Sequence, residues 1–494
     1  LLMSEEKASY RSIMKATSLF GGVQVFTILI SVLRSKFVAV FLGPAGMGIV
    51  GLLQSTLVLI SSLTNFGLRT SAVKDIAVAI GTNNLKRVAI VTIVLRRLVW
   101  GTGLLGAFIT FIFASQLSQL TFGNTEYSIA FRWLSITLLF NQLCNGQSVI
   151  LQGFRKLKSL AKSSVLGSLI GLFVTVPLYY YYGIEGIVPV LLISSVTTLA
   201  LTWYFSRKIQ LEKVEVDMAK TIIEGKNMMA MGFFISLSGM FTVGASYLVS
   251  IYISNTGGIT DVGLYNAGFA IIGTYVGLIF SAMSTDYYPR LSAVANNNIL
   301  ASKTINQQAE IALLILAPIL IIFLVHIKWV VILLYSTKFI AISEMIYWAA
   351  MGMFFKAVSW AIAFIFLAKG ESKLYFWNEL ITNIYLLTFN IIGYYYWGLN
   401  GLGISFLITY IVYAIQVFII SKIKYNFALS KAFLKVFLFQ FILAMLSFTS
   451  VQLFTKLYTY IIGSLLIVIS TWYSFKELDK RMDIVSLLKK LKAK

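Results

Sequence analysis

The stretch YYYYGIEGIVPV at residues 179–190 returns 215 positions later as YYYWGLNGLGIS at residues 394–405. Both copies place four aromatic residues before a glycine, and both have a second glycine three positions further on. A motif that recurs at one long offset predicts that a whole structural unit has been duplicated.

Two further pairs of segments support a duplication at nearly the same offset. Gly46 in LGPAGMGIVGLL aligns with Gly263 in TDVGLYNAGFAI, an offset of 217. Gly153 in QGFRKLKS aligns with Gly370 in AKGESKLY, again at 217. Each match alone is weak, but three in chain order indicate two related halves.

The composition is that of a membrane protein. Of the 494 residues, 59% are hydrophobic and only 12% are charged, and the mean hydropathy is +0.86. No soluble globular protein buries so much apolar surface. Only 5 prolines and repeated long apolar stretches favour helices over a barrel, whose strands would alternate polar and apolar residues. We therefore predict an all-α polytopic membrane protein.

Apolar windows between polar clusters predict about 14 transmembrane helices. The predicted spans lie near residues 15–42, 46–67, 88–115, 128–151, 161–181, 186–206, 227–252, 262–286, 305–327, 340–368, 373–397, 400–421, 432–453 and 457–475.

The basic residues predict the orientation of these spans. The formal net charge is +22, and 31 of the 40 basic residues fall in alternate loops and the two ends of the chain. The opposite loops hold only Lys328, Lys338 and Lys456. The positive-inside rule then places both termini in the cytoplasm. Most of the charge is thus a topology signal, and we predict no nucleic-acid partner.

Six spans separate equivalent positions in the two halves, and an even number preserves orientation. The halves are therefore predicted to be parallel repeats, two six-helix lobes around a central path. Two extra helices and a basic tail follow the second lobe. The predicted bounds are 1–206 for the N-lobe, 207–226 for a cytoplasmic linker, 227–421 for the C-lobe, 422–475 for the extra helices and 476–494 for the tail.

Catalytic motifs are nearly absent from the sequence. With a single histidine, His326, no histidine cluster can bind a metal. GTGLLG at residues 101–106 matches a dinucleotide-binding pattern, but it lies within a predicted helix with no preceding strand. Its glycines favour close helix packing instead. We expect no cofactor, no metal and no enzyme activity.

Basic residues inside the predicted spans are the strongest functional signal. A charge at mid-bilayer costs roughly 2.5–3.5 kcal/mol, so such residues usually face a watery interior. Arg34 in span 1 and Lys356 in span 10 are the leading candidates to bind an anionic cargo. Lys36 lies about 200° from Arg34 around an ideal helix, so the two cannot point into one cavity. Lys36 either snorkels outward or meets a partner; alternatively, the helix ends before Arg34.

Other charged residues leave two interpretations open. Arg132 and Arg97 lie nearer helix ends, where they either join a cationic cavity or snorkel to the interface. Among the acidic residues, Asp286, Glu310 and Glu379 are candidates to carry a proton or cation, and nothing in the sequence singles one out. Asp286 also has the spacing to pair with a basic residue one turn on.

Several segments also resemble a known family. KFVAVFLGPAGMGIVG (residues 36–51), FGNTEY (122–127), LQGFRK (151–156) and GLYNAGFAI (263–271) are similar to segments of the Wzx-type O-antigen and polysaccharide flippases. These motifs are mainly glycine and helix-packing signatures. The resemblance is strongest in the first 160 residues.

The resemblance implies a V-shaped fold of the multidrug/oligosaccharidyl-lipid/polysaccharide (MOP) exporter superfamily, which includes the MATE transporters. It also implies an undecaprenyl-pyrophosphate-linked oligosaccharide as cargo, flipped across the bacterial inner membrane by alternating access. Related lipid II flippases use a basic residue in the first helix, and Arg34 occupies a similar position. Their two extra helices flank a groove for the lipid tail. The last two predicted spans of this chain resemble those helices. An association with polysaccharide polymerase or chain-length proteins stays open.

Two other functions compete with a flippase. An ion-coupled multidrug exporter on the same fold would favour acidic residues in its interior, whereas this sequence offers mainly basic ones. A membrane polymerase or ligase acting on the same glycolipid would need a large extramembrane loop, and no predicted loop exceeds about twenty residues.

Overall fold

A computed structural model describes the backbone of residues 2–82, 84–154, 156–212 and 214–482. The basic tail from residue 483, together with Arg155 and Lys213, lies outside the described residues. Side chains are described from residue 26 onward, except at residues 70, 77, 81, 230–236, 238, 275, 278, 281, 282, 285 and 456.

Within these ranges the chain is helical, with no strand, which confirms the predicted all-α class. Three short turns of other types interrupt the helices: the 3₁₀ turns Gly183–Gly186 and Thr337–Ile342 and the π-helical turn Ala270–Val276. The helices are α1 (Leu2–Thr64), α2 (Leu68–Gly81), α3 (Leu85–Ile112), α4 (Ala114–Phe122), α5 (Ser128–Gly153), α6 (Leu157–Tyr182), α7 (Ile187–Ser206), α8 (Met218–Gly257), α9 (Ile259–Phe269), α10 (Leu278–Ala293), α11 (Asn298–Leu334), α12 (Ser343–Ala368), α13 (Ser372–Tyr425), α14 (Lys431–Leu453) and α15 (Lys456–Met482).

Eight helical stretches of the described chain are long and apolar enough to cross a membrane. Two of them, Leu157–Ser206 with 50 residues and Ser372–Tyr425 with 54, are each more than twice the length that one crossing needs. A third, Phe26–Thr64, is broken at Gly43, where the sequence predicts the gap between its first two spans. The membrane-spanning class is therefore established, and the count of fourteen stays a prediction.

The repeated aromatic–glycine motif forms the same corner twice. Gly183 has φ 53° and ψ −128°, and Gly398 has φ 56° and ψ −138°. A positive φ of this kind is readily adopted only by glycine, because a Cβ would clash with the backbone. In both copies the first tyrosine, Tyr179 or Tyr394, is buried and the next three aromatic residues are exposed. The two copies of the motif therefore have the same local backbone conformation, and the duplication of whole lobes stays a prediction.

Two predicted loops contain helices, α2 and α4. The segment between the second and third predicted spans forms α2, whose residues Leu68, Ala72, Ile76 and Ala79 are buried. Their spacing of three and four residues places them on one face, which packs into an apolar cluster with α3 and α5. The segment is too short to span a bilayer, and its basic residues hid this amphipathic pattern.

The chain divides into two compact units, residues 1–263 and 264–494. In the first unit, α3 packs against α5, and α6 packs against α7 and α1. A Cβ on Gly103 would lie 3.0 Å from Leu139 of α5, and one on Gly106 would lie 3.0 Å from Thr64 of α1. These two glycines of GTGLLG therefore allow close helix packing, whereas Gly101 has open space around it. The predicted lobe bounds, which follow the repeat rather than contacts, stay a prediction.

In the second unit, α11 and α12 form the buried centre. Both helices carry fully buried aliphatic residues over most of their length, and α13 packs along α12. Helices α14 and α15 pack on α11. They are joined to each other by Gln440, which donates to Ser474 Oγ at 2.8 Å and accepts from Ser470 Oγ at 2.6 Å. Such buried polar contacts hold helices together where lipid supplies no hydrophobic drive.

Candidate functional site

Arg34 lies in the first unit, on α1 where it packs against α6. Its Nη1 atom is 3.9 Å from the position that a Cβ on Gly171 of α6 would occupy. Ser194 Oγ of α7 lies at the same distance from that point. The absence of a side chain at Gly171 therefore opens a small space that a guanidinium and a hydroxyl border together.

Both donors beside Gly171 lack an acceptor among the residues that the structure describes. Arg34 is half-buried and forms no hydrogen bond or ion pair there. The hydroxyl of Ser194 is buried and also has no partner within the described chain. Unpaired buried donors are costly, and an anion is the ligand that would satisfy both.

The repeated motif contributes Tyr179 to the surroundings of Arg34. Tyr179, the buried first tyrosine of the YYYY segment, is close enough to Arg34 for an electrostatic interaction. A buried tyrosine hydroxyl usually seeks a hydrogen-bond partner.

Lys356 lies in the second unit, on the inner face of α12. Its Nζ atom is 5.0 Å from the ring centroid of Tyr410 and 5.6 Å from that of Phe406, both on α13. Aromatic faces attract a cation at such distances and replace part of its hydration. Lys356 also lines a cavity of about 200 Å³ with Trp360 and Tyr375.

The same cavity contains Glu379. Tyr413 donates a hydrogen bond of 2.9 Å to Glu379 Oε1, and Asn378 Nδ2 donates to the Tyr413 hydroxyl at 3.3 Å. Gln416 Nε2 completes the chain by donating to Asn378 Oδ1 at 2.7 Å. This network fixes the carboxylate from one side, while the cavity leaves its other side open.

The second-unit cavity suits a small occupant. Lys356 and Glu379 both line it but form no ion pair within 4.0 Å. A volume of about 200 Å³ accommodates several water molecules or a hydrated ion, and it is below the range of organic ligand pockets. The cavity alone is too small for an oligosaccharide.

Arg97 forms hydrogen bonds that connect two segments of the first unit. Its Nη1 donates to the carbonyl of Val216 at 2.8 Å and to Thr221 Oγ1 at 2.5 Å, tying α3 to the start of α8. Nearby, Arg87 Nη2 donates to Glu224 Oε2 at 2.8 Å, and this pairing holds the pKa of Glu224 below its usual range. A role of Arg97 in cargo binding stays a prediction.

The two remaining basic candidates, Arg132 and Lys36, are not among the residues that line the Lys356 cavity. Arg132 is exposed in the first turns of α5. Lys36 is half-buried on α1, two positions after Arg34. Contributions of both to a cationic cavity stay predictions.

Two of the three acidic candidates pair with arginines. Asp286 is exposed and lies 3.8 Å from Arg290, as its spacing suggested. Glu310 is buried and accepts from Arg481 Nε of α15 at 2.9 Å and from Ser430 Oγ at 3.2 Å. Glu310 therefore fastens α15 to α11. Of the three, Glu379 alone shares a cavity with a predicted basic residue.

Ser194, Gly171 and the Tyr413 network were not predicted from the sequence. One sequence pattern in α13 could have predicted the network, because Asn378, Glu379 and Asn383 interrupt an apolar helix. Clustered amides beside a carboxylate within one membrane span are expected to face protein rather than lipid.

The sequence matches a described family and is similar to lipid III flippases. Residues 37–344 match the family described as "Polysaccharide biosynthesis protein". The lipid III flippase of Escherichia coli (strain K12) is 22% identical over 413 residues, which cover 81% of this chain and 96% of that protein. The lipid III flippase of Shigella flexneri matches with the same identity and coverage.

Solved structures establish the fold. The lipid II flippase MurJ in an inward closed conformation superposes with a TM-score of 0.69 at 16% identity, covering 93% of this chain and 99% of that one. An inward-facing multidrug resistance transporter of the MATE family, in the MOP superfamily, gives 0.66 at 17% identity, covering 81% and 94%. The chain therefore has a fold like those of MurJ and this MATE transporter.

Proposed function

The chain belongs to the polysaccharide biosynthesis protein family, and on that premise we propose that it is a flippase for lipid-linked oligosaccharides. Its cargo is an undecaprenyl-pyrophosphate-linked repeat unit of O-antigen or a related polysaccharide. The protein moves this cargo from the cytoplasmic to the periplasmic leaflet by alternating access. The similarity to the lipid III flippases over most of both chains supports this class of cargo.

The Arg34 site carries the proposal. A pyrophosphate that leaves water needs a cation and hydrogen-bond donors, because an unpaired buried anion is very costly. Arg34 and Ser194 offer both at one point, and no described carboxylate competes for the guanidinium. Arg34 therefore binds the pyrophosphate, or an acidic sugar, during the crossing, while the polyprenyl tail stays in lipid.

Lys356 and Glu379 have a second role in this proposal. Lys356 adds positive potential for the anionic cargo, and Glu379 takes up a proton or cation that drives the return of the empty protein. The small cavity that both residues line, with the hydrogen bond from Tyr413 on one side of the carboxylate, supports an ionic rather than a glycan occupant.

An ion-coupled multidrug exporter is the alternative function. Glu379 within an aromatic cavity is the observation that favours it, because a carboxylate and aromatic rings suit a cationic drug. Lys356 in the same cavity opposes it, since a drug cation would be repelled. An enzyme of polysaccharide assembly is the less favoured third function.

The proposed setting is the bacterial inner membrane, with both termini in the cytoplasm. Polysaccharide polymerase and chain-length proteins act on the translocated product, so they are the candidate protein partners.

The test is mass spectrometry of undecaprenyl-linked glycans in cells that lack this protein, with and without a plasmid copy. We expect the complete lipid-linked repeat unit to accumulate and the wild-type plasmid to relieve it. Arg34→Ala and Lys356→Ala, at matched expression, should fail to relieve it. Lys162→Ala and Lys328→Ala remove exposed positive charges of the two units and serve as controls that restore export.

The possible results separate the functions. Without accumulation, and with drug sensitivity altered instead, the exporter is correct. A truncated or unpolymerised glycan on the periplasmic side would indicate an enzyme. Wild-type surface glycan in both the Arg34 and the Lys356 variants would refute the cationic-site mechanism.

A further inference from the structure

A second feature of the first unit has no place in the transport proposal. A groove of about 760 Å³ runs between α3, α5 and α7 and the segment that follows α7. Its walls are largely apolar and include Val99, Leu143, Val196 and Leu199. Such a volume is within the range of organic ligand sites, so the groove is large enough for part of a lipid.

The groove is amphiphilic along its length. Arg96 and Trp100 lie one turn apart on α3, and Trp203 and Arg207 lie one turn apart at the end of α7. With the predicted topology, each arginine is nearer the cytoplasm than its tryptophan. The two helices thus present a basic end toward the membrane surface and an aromatic, aliphatic end toward the bilayer interior.

The basic end has donors without acceptors. Neither Arg96 nor Arg207 forms an ion pair with a described residue, and Arg207 packs over Trp203 with its Cζ 4.8 Å from the ring. Gln147, between them, uses its Oε1 to accept from Ser206 Oγ at 2.5 Å, which leaves its amide N–H groups for a ligand. Two guanidinium groups and an amide form a receptor for a phosphate.

We propose that this groove binds an anionic phospholipid of the cytoplasmic leaflet. The lipid phosphate lies between Arg96 and Arg207, and an acyl chain runs past Trp100 and Val196. Charge complementarity selects the headgroup, because juxtamembrane arginines attract anionic lipids. The proposal requires that the chain is embedded in a membrane with the predicted orientation, and it does not require the flippase function.

Native mass spectrometry of the full-length protein in detergent tests this proposal, with phosphatidylglycerol and phosphatidylcholine titrated separately. We expect a phosphatidylglycerol adduct that phosphatidylcholine does not match. Arg96→Gln and Arg207→Gln should each weaken it about fivefold, since one arginine near the headgroup contributes about 1 kcal/mol. Lys208→Gln is the matched control, because Lys208 is adjacent and exposed but does not line the groove.

A second variant tests the apolar end. Val196→Trp fills the groove while leaving both arginines, and it should abolish the adduct. Equal binding of the two lipids, or unchanged phosphatidylglycerol binding in a variant that combines Arg96→Gln with Arg207→Gln, would overturn the proposal. Competition by inorganic phosphate at similar concentrations would overturn it too, since the site would then recognise a bare anion. Preferential binding of undecaprenyl phosphate would assign the groove to the cargo instead.

Discussion

Arg34 and Lys356 are both basic side chains in apolar helices, but their surroundings differ. Arg34 borders a small space beside Gly171 together with one unpaired hydroxyl, and no described carboxylate pairs with it. Lys356 lies between aromatic rings, in a cavity that also holds Glu379. The first site suits a ligand that brings its own negative charge. The second already contains one, so it suits a proton or a cation.

The difference shows that the repeated motif and the charged residues do not recur together in the two halves of the sequence. At the offset of 217 residues, Arg34 corresponds to Ile251 and Lys356 to Leu139, both apolar. The aromatic–glycine corner, by contrast, keeps its sequence and its backbone angles in both halves. A corner is needed wherever two helices must reverse, whereas each functional charge is needed only once.

The largest effect is expected from a substitution that places a carboxylate beside Arg34, because the first site would then resemble the second. Gly171→Asp places an acidic group beside Nη1, so the guanidinium is neutralised before cargo arrives. Loss of a charged hydrogen bond of up to about 3 kcal/mol predicts a decrease in export of roughly a hundredfold. The measurement is surface glycan together with accumulated lipid-linked repeat unit.

Gly171→Ala is the matched control for that variant. Its Cβ would be 3.9 Å from Arg34 Nη1 and Ser194 Oγ, an ordinary contact distance, so export should stay near wild type. Normal export by Gly171→Asp would show that Arg34 does not bind the cargo.

Removing the carboxylate from the second site would make it more like the first. Glu379→Gln is expected to abolish the response of transport to an imposed proton or sodium gradient, measured in proteoliposomes. Tyr413→Phe removes one hydrogen bond to Glu379, worth about 1 kcal/mol, and should decrease the driven rate only about fivefold.

Glu344→Gln provides the comparison for a carboxylate on α12 outside this cavity, and its gradient response should be normal. A full gradient response in Glu379→Gln would assign the coupling to another group, and Lys356 would then be the residue to examine in this cavity.

The smallest expected effect tests the similarity of the two halves. Gly183→Ala and Gly398→Ala force a side chain into the same positive-φ conformation, so each should destabilise the protein by about 1 kcal/mol. The measurement is thermal unfolding in detergent. Gly101→Ala, in a helix with open space around it, should be neutral or slightly stabilising. Clearly unequal losses at Gly183 and Gly398 would show that the two corners are not equivalent.

The sequence alone determined the helical membrane class, the repeated aromatic–glycine corner and the main helix breaks. These features depend on local chemistry. Long apolar stretches must form helices in a bilayer, and the breaks at Gly43, Gly183 and Gly398 fall where glycine permits a positive φ. The helix α2 escaped prediction because it is too short to span a bilayer and its exposed face carries Arg69 and Lys74, which were assigned to a loop.

Only the tertiary structure decided which charged residues meet. A membrane helix that is apolar nearly all round carries no pattern that reveals its rotation, so the direction of a side chain depends on how neighbouring helices pack. Packing placed Ser194 beside Arg34, some 160 positions away in the chain, and brought Glu379 into the cavity of Lys356. It also placed Glu310 against Arg481 and Arg97 against the segment before α8, where each holds helices together.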